Sequence, residues 1–211
     1  PTGTIFTPND LVQLERITMG NDIVVLSDEV YEHIVFDGEE HQSVAKYPGL
    51  AERSFVVGSF GKTFHATGWK VGYVLAPENL MAEFRKVHQF NVFTVNHPVQ
   101  VALAEFIKDE DHYLSVSAMY QEKRNFFLNA IKGSRFSARP SQGTYFQLLG
   151  YEKLSEEKDT DFAALLTKKH KVASIPVSVF YHNPVYNKVL RFCFAKENDT
   201  LEKAAEILVK L

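Results

Sequence analysis

The chain has 211 residues, 45% of them hydrophobic and 13% aromatic, enough apolar material for one large or two small cores, which excludes a disordered chain. Its 23 Lys and Arg against 26 Asp and Glu give a net charge of −3 with no basic run, which excludes an electrostatic nucleic-acid footprint. No apolar run approaches membrane-spanning length, and a single cysteine, Cys193, allows neither an internal disulfide nor a cysteine zinc cluster and fits a reducing, cytoplasmic setting.

Pro1-Thr2-Gly3 reads as the tail of a turn. Thr7-Pro8-Asn9-Asp10 is a helix start, with Thr7 as N-cap, proline in the first turn and Asp10 three residues on; it predicts a helix through LVQLERIT to Gly20. IVVL (23–26), SFVV (54–57) and VGYVLA (71–76) are short continuous apolar runs, as in strands covered on both faces. A helix through MAEFRKVHQF follows Glu78-Asn79-Leu80. This alternation predicts an α/β fold with a mostly parallel sheet and helices. From about Pro98 the period becomes helical, in VQVALAEFIK and YLSVSAMYQEKRNFFLNAI, parted by the charged turn KDEDH. GTYFQLL (143–149), VASIPVSVF (172–180) and VLRFCFA (189–195) then read as strands, with helices at DFAALLTKKH and TLEKAAEILVKL. The chain therefore divides into residues 1–110, an α/β part that includes the start of a long connecting helix, and residues 111–211, a smaller α+β domain.

Ligands of open α/β sheets sit at the carboxyl ends of the strands. Asp28 and Tyr31 follow one strand there; Ser59 and Lys62 follow another. Each has an ordinary explanation: Asp28 as cap of a helix beginning EVYEH, Tyr31 as a half-buried aromatic, Ser59 as a turn residue, Lys62 as a snorkelling side chain. Their joint placement favours a site. GKT (61–63) invites a phosphate-binding loop, but that motif needs a glycine where Val56 stands, and the loop is too short to wrap phosphates. His33, His41, His88 and His97 show no metal-ligand spacing and read as surface or core residues. Arg191 is a charge inside an apolar strand, so it requires a partner, either an acidic side chain or a bound anion.

SDEVYEHIVFDG, then SFGKTFHATGWKVGYVLAP, then VLRFCFAK resembles, in that order, the class I/II pyridoxal-phosphate-dependent aminotransferases of fold type I. GWKVG, IPVS and RFCF are similar to the methionine/kynurenine aminotransferase-like branch. The resemblance implies a transaminase that moves an amino group between an amino acid, methionine-like or aromatic, and a 2-oxo acid; a carbon–sulfur β-lyase and a non-catalytic interaction domain are the alternatives. It implies that Lys62 carries the cofactor covalently and, once released, shuttles the substrate Cα proton. A free lysine titrates near 10.4, so a lysine acting as base near neutrality needs desolvation and nearby positive charge. Asp28 would face the pyridine nitrogen and keep the ring protonated, and Tyr31, on the same face of the helix beginning EVYEH, would donate to its phenolic oxygen. Ser59 and Lys70 correspond to the phosphate contacts; Lys70 stands where most of the family has arginine, a point charge in place of a bidentate clamp, and His65 departs from the usual small residue. Arg191 would grip the substrate α-carboxylate. Gly143-Thr144-Tyr145-Phe146 matches a pocket-lining strand, and Phe93, Phe180 and Tyr181 are candidates for an apolar pocket. No metal is implied.

The family's turn Asn-Pro-x-x-Asn-Pro-Thr-Gly matches this chain only from its last Pro-Thr-Gly, so the chain corresponds to the C-terminal half of the family. The residues expected upstream are an asparagine on the phenolic oxygen, a phosphate loop and an aromatic stacked on the ring. The family's site is shared across a homodimer, and a half-domain should expose an unpaired strand edge.

Overall fold

The structure, a computed structural model, describes residues 2–211; Pro1, the first residue of the Pro-Thr-Gly turn, lies outside them. Two compact units divide the chain: Ile5–Ser117, and Ala118–Leu211 with the N-terminal segment that ends at Thr4.

In the first unit, α1 (Pro8–Thr18) starts on a closed capping box: Asp10 N donates to Thr7 Oγ1 at 3.2 Å and Thr7 N donates to Asp10 Oδ2 at 2.7 Å. The helix stops two residues short of the expected Gly20, where Thr18 turns its hydroxyl back to Leu14 O at 3.0 Å. After it come β1 (Val25–Asp28), α2 (Pro48–Ala51), β2 (Ser54–Ser59), α3 (Phe60–Thr63) and β3 (Gly72–Leu75). β1 pairs with β2 in parallel, Val25 opposite Ser54 and Asp28 opposite Val57. β3 lies on the other side of β2 and runs antiparallel to it. The connection between them, residues 60–71, holds one helical turn and one 3-10 turn, not the crossover helix that a parallel pair needs. Leu11, Leu50, Val44 and Val56 form the core where α1 and α2 cover the sheet, and Glu15 ties the two helices by accepting from Gly49 N at 2.8 Å. Beyond the sheet lie α4 (Glu78–Asn91), α5 (His97–Phe106) and α6 (Asp111–Leu114).

The next helix, α7 (Val116–Ala130), leads into the second unit, which adds β4 (Ser137–Ala138), β5 (Phe146–Gly150), α8 (Asp159–Leu165), β6 (Ile175–Pro176), β7 (Val189–Cys193) and α9 (Asn198–Val209). Its four strands lie in the order β4-β5-β7-β6, every pair antiparallel. β5 and β7 alternate strictly. Gln147, Leu149, Leu190 and Phe192 point into a core shared with Phe127, Phe162, Leu201 and Leu208, while Phe146, Leu148, Arg191 and Cys193 share the half-buried face.

VASIPVSVF is a continuous strand in the sequence reading, but only Ile175 and Pro176 pair with β7, and Val177–Phe180 winds into a 3-10 turn. Asp159 causes this. Its carboxylate, 1% exposed, accepts from Ser178 N at 2.7 Å and from Ser178 Oγ at 2.6 Å, removing that residue from any ladder. Asp159→Ala would leave both donors unpaired in the interior. We expect a loss of about 3 kcal/mol, from the cost of stranding donors of charge-assisted bonds, read as a lower urea midpoint at constant m-value.

Candidate active site

Asp28 ends β1 with an exposed carboxylate, which accepts weakly from Val30 N at 3.4 Å. The segment after it, EVYEH, is not the helix that the sequence suggests. It forms two successive turns, closed by Glu32 N to Glu29 O at 3.0 Å and Ile34 N to Tyr31 O at 2.8 Å. A half-exposed helix buries one stripe, whereas Ile34, Val35 and Phe36, directly after EVYEH, are buried in succession. Tyr31 therefore does not share a helical face with Asp28; the turn aims it, and its ring centroid lies 6.0 Å from Lys62 Nζ.

Two acids hold this turn, and the sequence reading missed both. Glu29 is 7% exposed; its carboxylate accepts from Ser27 Oγ at 2.9 Å and Val44 N at 3.1 Å, and pairs with His41 Nε2 at 2.8 Å. Burial pushes this carboxyl up, but the bonds from His41, Ser43, Ser27 and the Val44 backbone together outweigh burial and hold it below the usual carboxylate range. Glu32 accepts a short hydrogen bond from the Tyr73 hydroxyl. Burial, and then that bond, push the Tyr73 phenol well above its ordinary value. The legible signal for both was the spacing D-E-x-x-E, in which each site residue is adjacent to an acid or one turn from it.

Lys62 rides on α3, a single turn that begins where β2 ends. Ser59 caps it, accepting from Gly61 N at 3.1 Å. The glycines beside Lys62 serve the protein's own backbone. A Cβ on Gly61 would stand 3.0 Å from Thr67 Cα, so the absence of a side chain lets the following loop fold back over α3. A Cβ on Gly58 would stand 2.1 Å from the Tyr73 ring, which lies directly across the antiparallel pair. The returning loop carries two left-handed non-glycine residues, His65 at φ +52° and Lys70 at φ +58°. Between loop and turn lies a recess of about 210 Å³ lined by Ser59, Gly61, Lys62, Thr67 and Lys70. Two hydroxyl-bearing and two ammonium-bearing residues around so small a space fit an anionic group such as a phosphate ester.

Arg191 belongs to the second unit. Its guanidinium carbon is 4.1 Å from the Phe146 ring centroid and 4.8 Å from that of Phe180. Its Nε is buried without a hydrogen-bond partner, and among the described residues no carboxylate pairs with it. The acidic partner that the sequence allowed for is therefore not there. Phe93, another pocket candidate, is 75% exposed and has φ +65°. Among the described residues no group of His, Cys, Asp and Glu could hold a metal ion, and no helix is long and apolar enough to cross a membrane.

Residues 1–208 match the family model for aminotransferase class I and II. The chain belongs to that family. It is 47% identical over 212 residues to a methionine aminotransferase of Escherichia coli, covering 100% of this chain and 55% of that protein. It is 34% identical to a kynurenine–oxoglutarate transaminase of Dictyostelium discoideum, again over 100% of this chain and 54% of the relative. A solved Escherichia coli structure assigned a methionine aminotransferase function superposes with a TM-score of 0.97 at 46% identity, over 100% of this chain and 56% of that one. The chain spans about half the length of the curated relatives it matches. The fold is accordingly that of the fold type I aminotransferases, and pyridoxal phosphate is the cofactor of the family.

The Glu29 network gives this aminotransferase chain an acid-sensitive anchor. A carboxyl held below its unfolded value contributes stability that is complete above about pH 4.5 and is lost as pH falls through the lower, folded value. The unaltered protein should lose stability progressively below that pH. Glu29→Gln should be less stable at pH 7 and show a flatter pH profile in the acid window, measured by urea unfolding across the range.

Proposed function

We propose that this chain is the lysine- and arginine-bearing part of a pyridoxal-phosphate-dependent transaminase. It exchanges amino and oxo groups between an amino acid with a methionine-like or aromatic side chain and a 2-oxo acid. The observation that carries the reading is the convergence at α3: Lys62 Nζ lies 6.0 Å over the Tyr31 ring and borders a recess with Ser59 and Lys70. Residues from three separate stretches of chain thus meet around one amine. The relatives at 47% and 34% identity support the substrate class.

When bound, pyridoxal phosphate supplies an electron-accepting ring that makes the substrate Cα proton acidic. Lys62 holds the cofactor and, when released, takes that proton on Nζ. Asp28 keeps the ring nitrogen protonated through its carboxylate, Tyr31 donates its hydroxyl to the phenolic oxygen, and Ser59 with Lys70 binds the phosphate. Arg191 takes the substrate α-carboxylate; that no acid among the described residues pairs with it, and that its Nε has no hydrogen-bond partner, supports that role. A homodimer in the cytoplasm completes the proposal. Phe90, 86% exposed, and Phe93 offer apolar surface to a second copy, and Cys193 as sole thiol suits a reducing setting.

The test is covalent. Incubation with pyridoxal phosphate and reduction with borohydride should add one phosphopyridoxyl group, mapped by peptide mass spectrometry to Lys62 and absent in Lys62→Ala. Adduct scattered over surface lysines, undiminished in that variant, would remove Lys62 from the proposal. Asp28→Asn should keep the adduct and lose about 100-fold in kcat, the scale of removing one group that stabilises developing charge.

A further inference from the structure

Arg191 is held in an unusual way for a cation in a strand. β7 stands between β5 and β6, with Leu148 opposite Arg191 on one side and Ile175 on the other. Phe146 pairs with Cys193, two residues along, which makes it the diagonal neighbour of Arg191 on the same face of the sheet. Phe180 arrives from the 3-10 turn that Asp159 pins through Ser178. The two rings, at 4.1 and 4.8 Å, crowd the guanidinium.

A guanidinium presents its five N–H donors at its edge, within one plane. Aromatic rings that cover its faces satisfy the positive charge in part and leave the donors untouched. Of those donors the Nε–H is buried and faces no acceptor, so only the two terminal nitrogens remain for a ligand.

We propose that Phe146 and Phe180 are positioning residues: they clamp the Arg191 guanidinium so that its two Nη groups meet a carboxylate end-on and in plane, as a preset fork. This rests on the reading of Arg191 as the carboxylate anchor. The clamp replaces the acidic side chain that would otherwise orient a half-buried arginine, and it does so without supplying a competing anion. A carboxylate ligand then finds the fork already oriented and need not displace a protein acid.

The experiment measures binding of 4-(methylthio)butanoate, a carboxylate with a thioether tail and no amino group, to the pyridoxal-phosphate-loaded full chain by isothermal titration calorimetry. Phe180 is 55% exposed, so Phe180→Leu removes the ring without opening the core; Phe146→Leu is the companion. Arg191→Gln should abolish binding. Phe180→Leu and Phe146→Leu should each raise Kd about tenfold, and the tyrosine variants, which keep the ring face, should return to within about twofold of the unaltered protein. Leucine variants that both bind normally while Arg191→Gln does not would overturn the clamp and leave the anchor standing. Weakened binding that tyrosine fails to restore overturns it too, because it reports packing and not the ring face. Absence of binding by the unaltered protein, or normal binding by Arg191→Gln, overturns the anchor reading and the clamp with it.

Discussion

The candidate site depends on the parallel register of β1 and β2. With Asp28 opposite Val57, the turn that follows Asp28 leaves the sheet beside Ser59, where α3 begins. Because side chains alternate along a strand, a slip of one residue would turn Asp28 to the opposite face and carry Tyr31 away from Lys62. Val56, buried against Leu11 and Leu50, resists that slip. Apolar packing on one side of the sheet thereby fixes polar geometry at its end.

Two buried carboxylates and one half-buried guanidinium have three different solutions. Glu29 gathers donors from Ser27, His41 and Val44, so a carboxylate that burial would neutralise stays ionised and pins a turn. Asp159 accepts from Ser178 and from Thr160 N, and through Ser178 sets where a strand stops. Arg191 is given rings in place of an anion. The first two are satisfied by the protein and read as architecture. The third has donors to spare, which is what distinguishes a group kept for a ligand from one kept for the fold.

Local strain follows the same division. His65 and Lys70 both sit at positive φ in the loop over α3, although neither is a glycine. Gly61 and Gly58 serve close approaches, to Thr67 and to the Tyr73 ring, while Gly68, between the two strained residues, faces open space. The left-handed positions in this loop are held by residues with longer side chains, not by its glycine. At Lys70 this brings an ammonium group to the rim of the recess that Lys62 borders.

Much was readable from the chain alone. The capping box at Thr7, the apolar runs of β2 and β7, and the helices α4 and α9 are local patterns, set by residues within a few positions of one another; the order of Asp28, Tyr31, Ser59, Lys62 and Arg191 along the chain is readable as well. So was the membership of the chain in a family of aminotransferases. Only the tertiary structure decided that β3 runs antiparallel, that EVYEH forms turns, that VASIPVSVF breaks after Pro176, and that Arg191 meets rings and, among the described residues, no acid. The last three depend on a partner distant in sequence: Glu29 on Val44, Asp159 on Ser178, Arg191 on Phe146 and Phe180. Propensity and periodicity describe what a segment can bury, whereas a buried charge is settled by whatever the fold brings to it, and that information lies outside any short window of sequence.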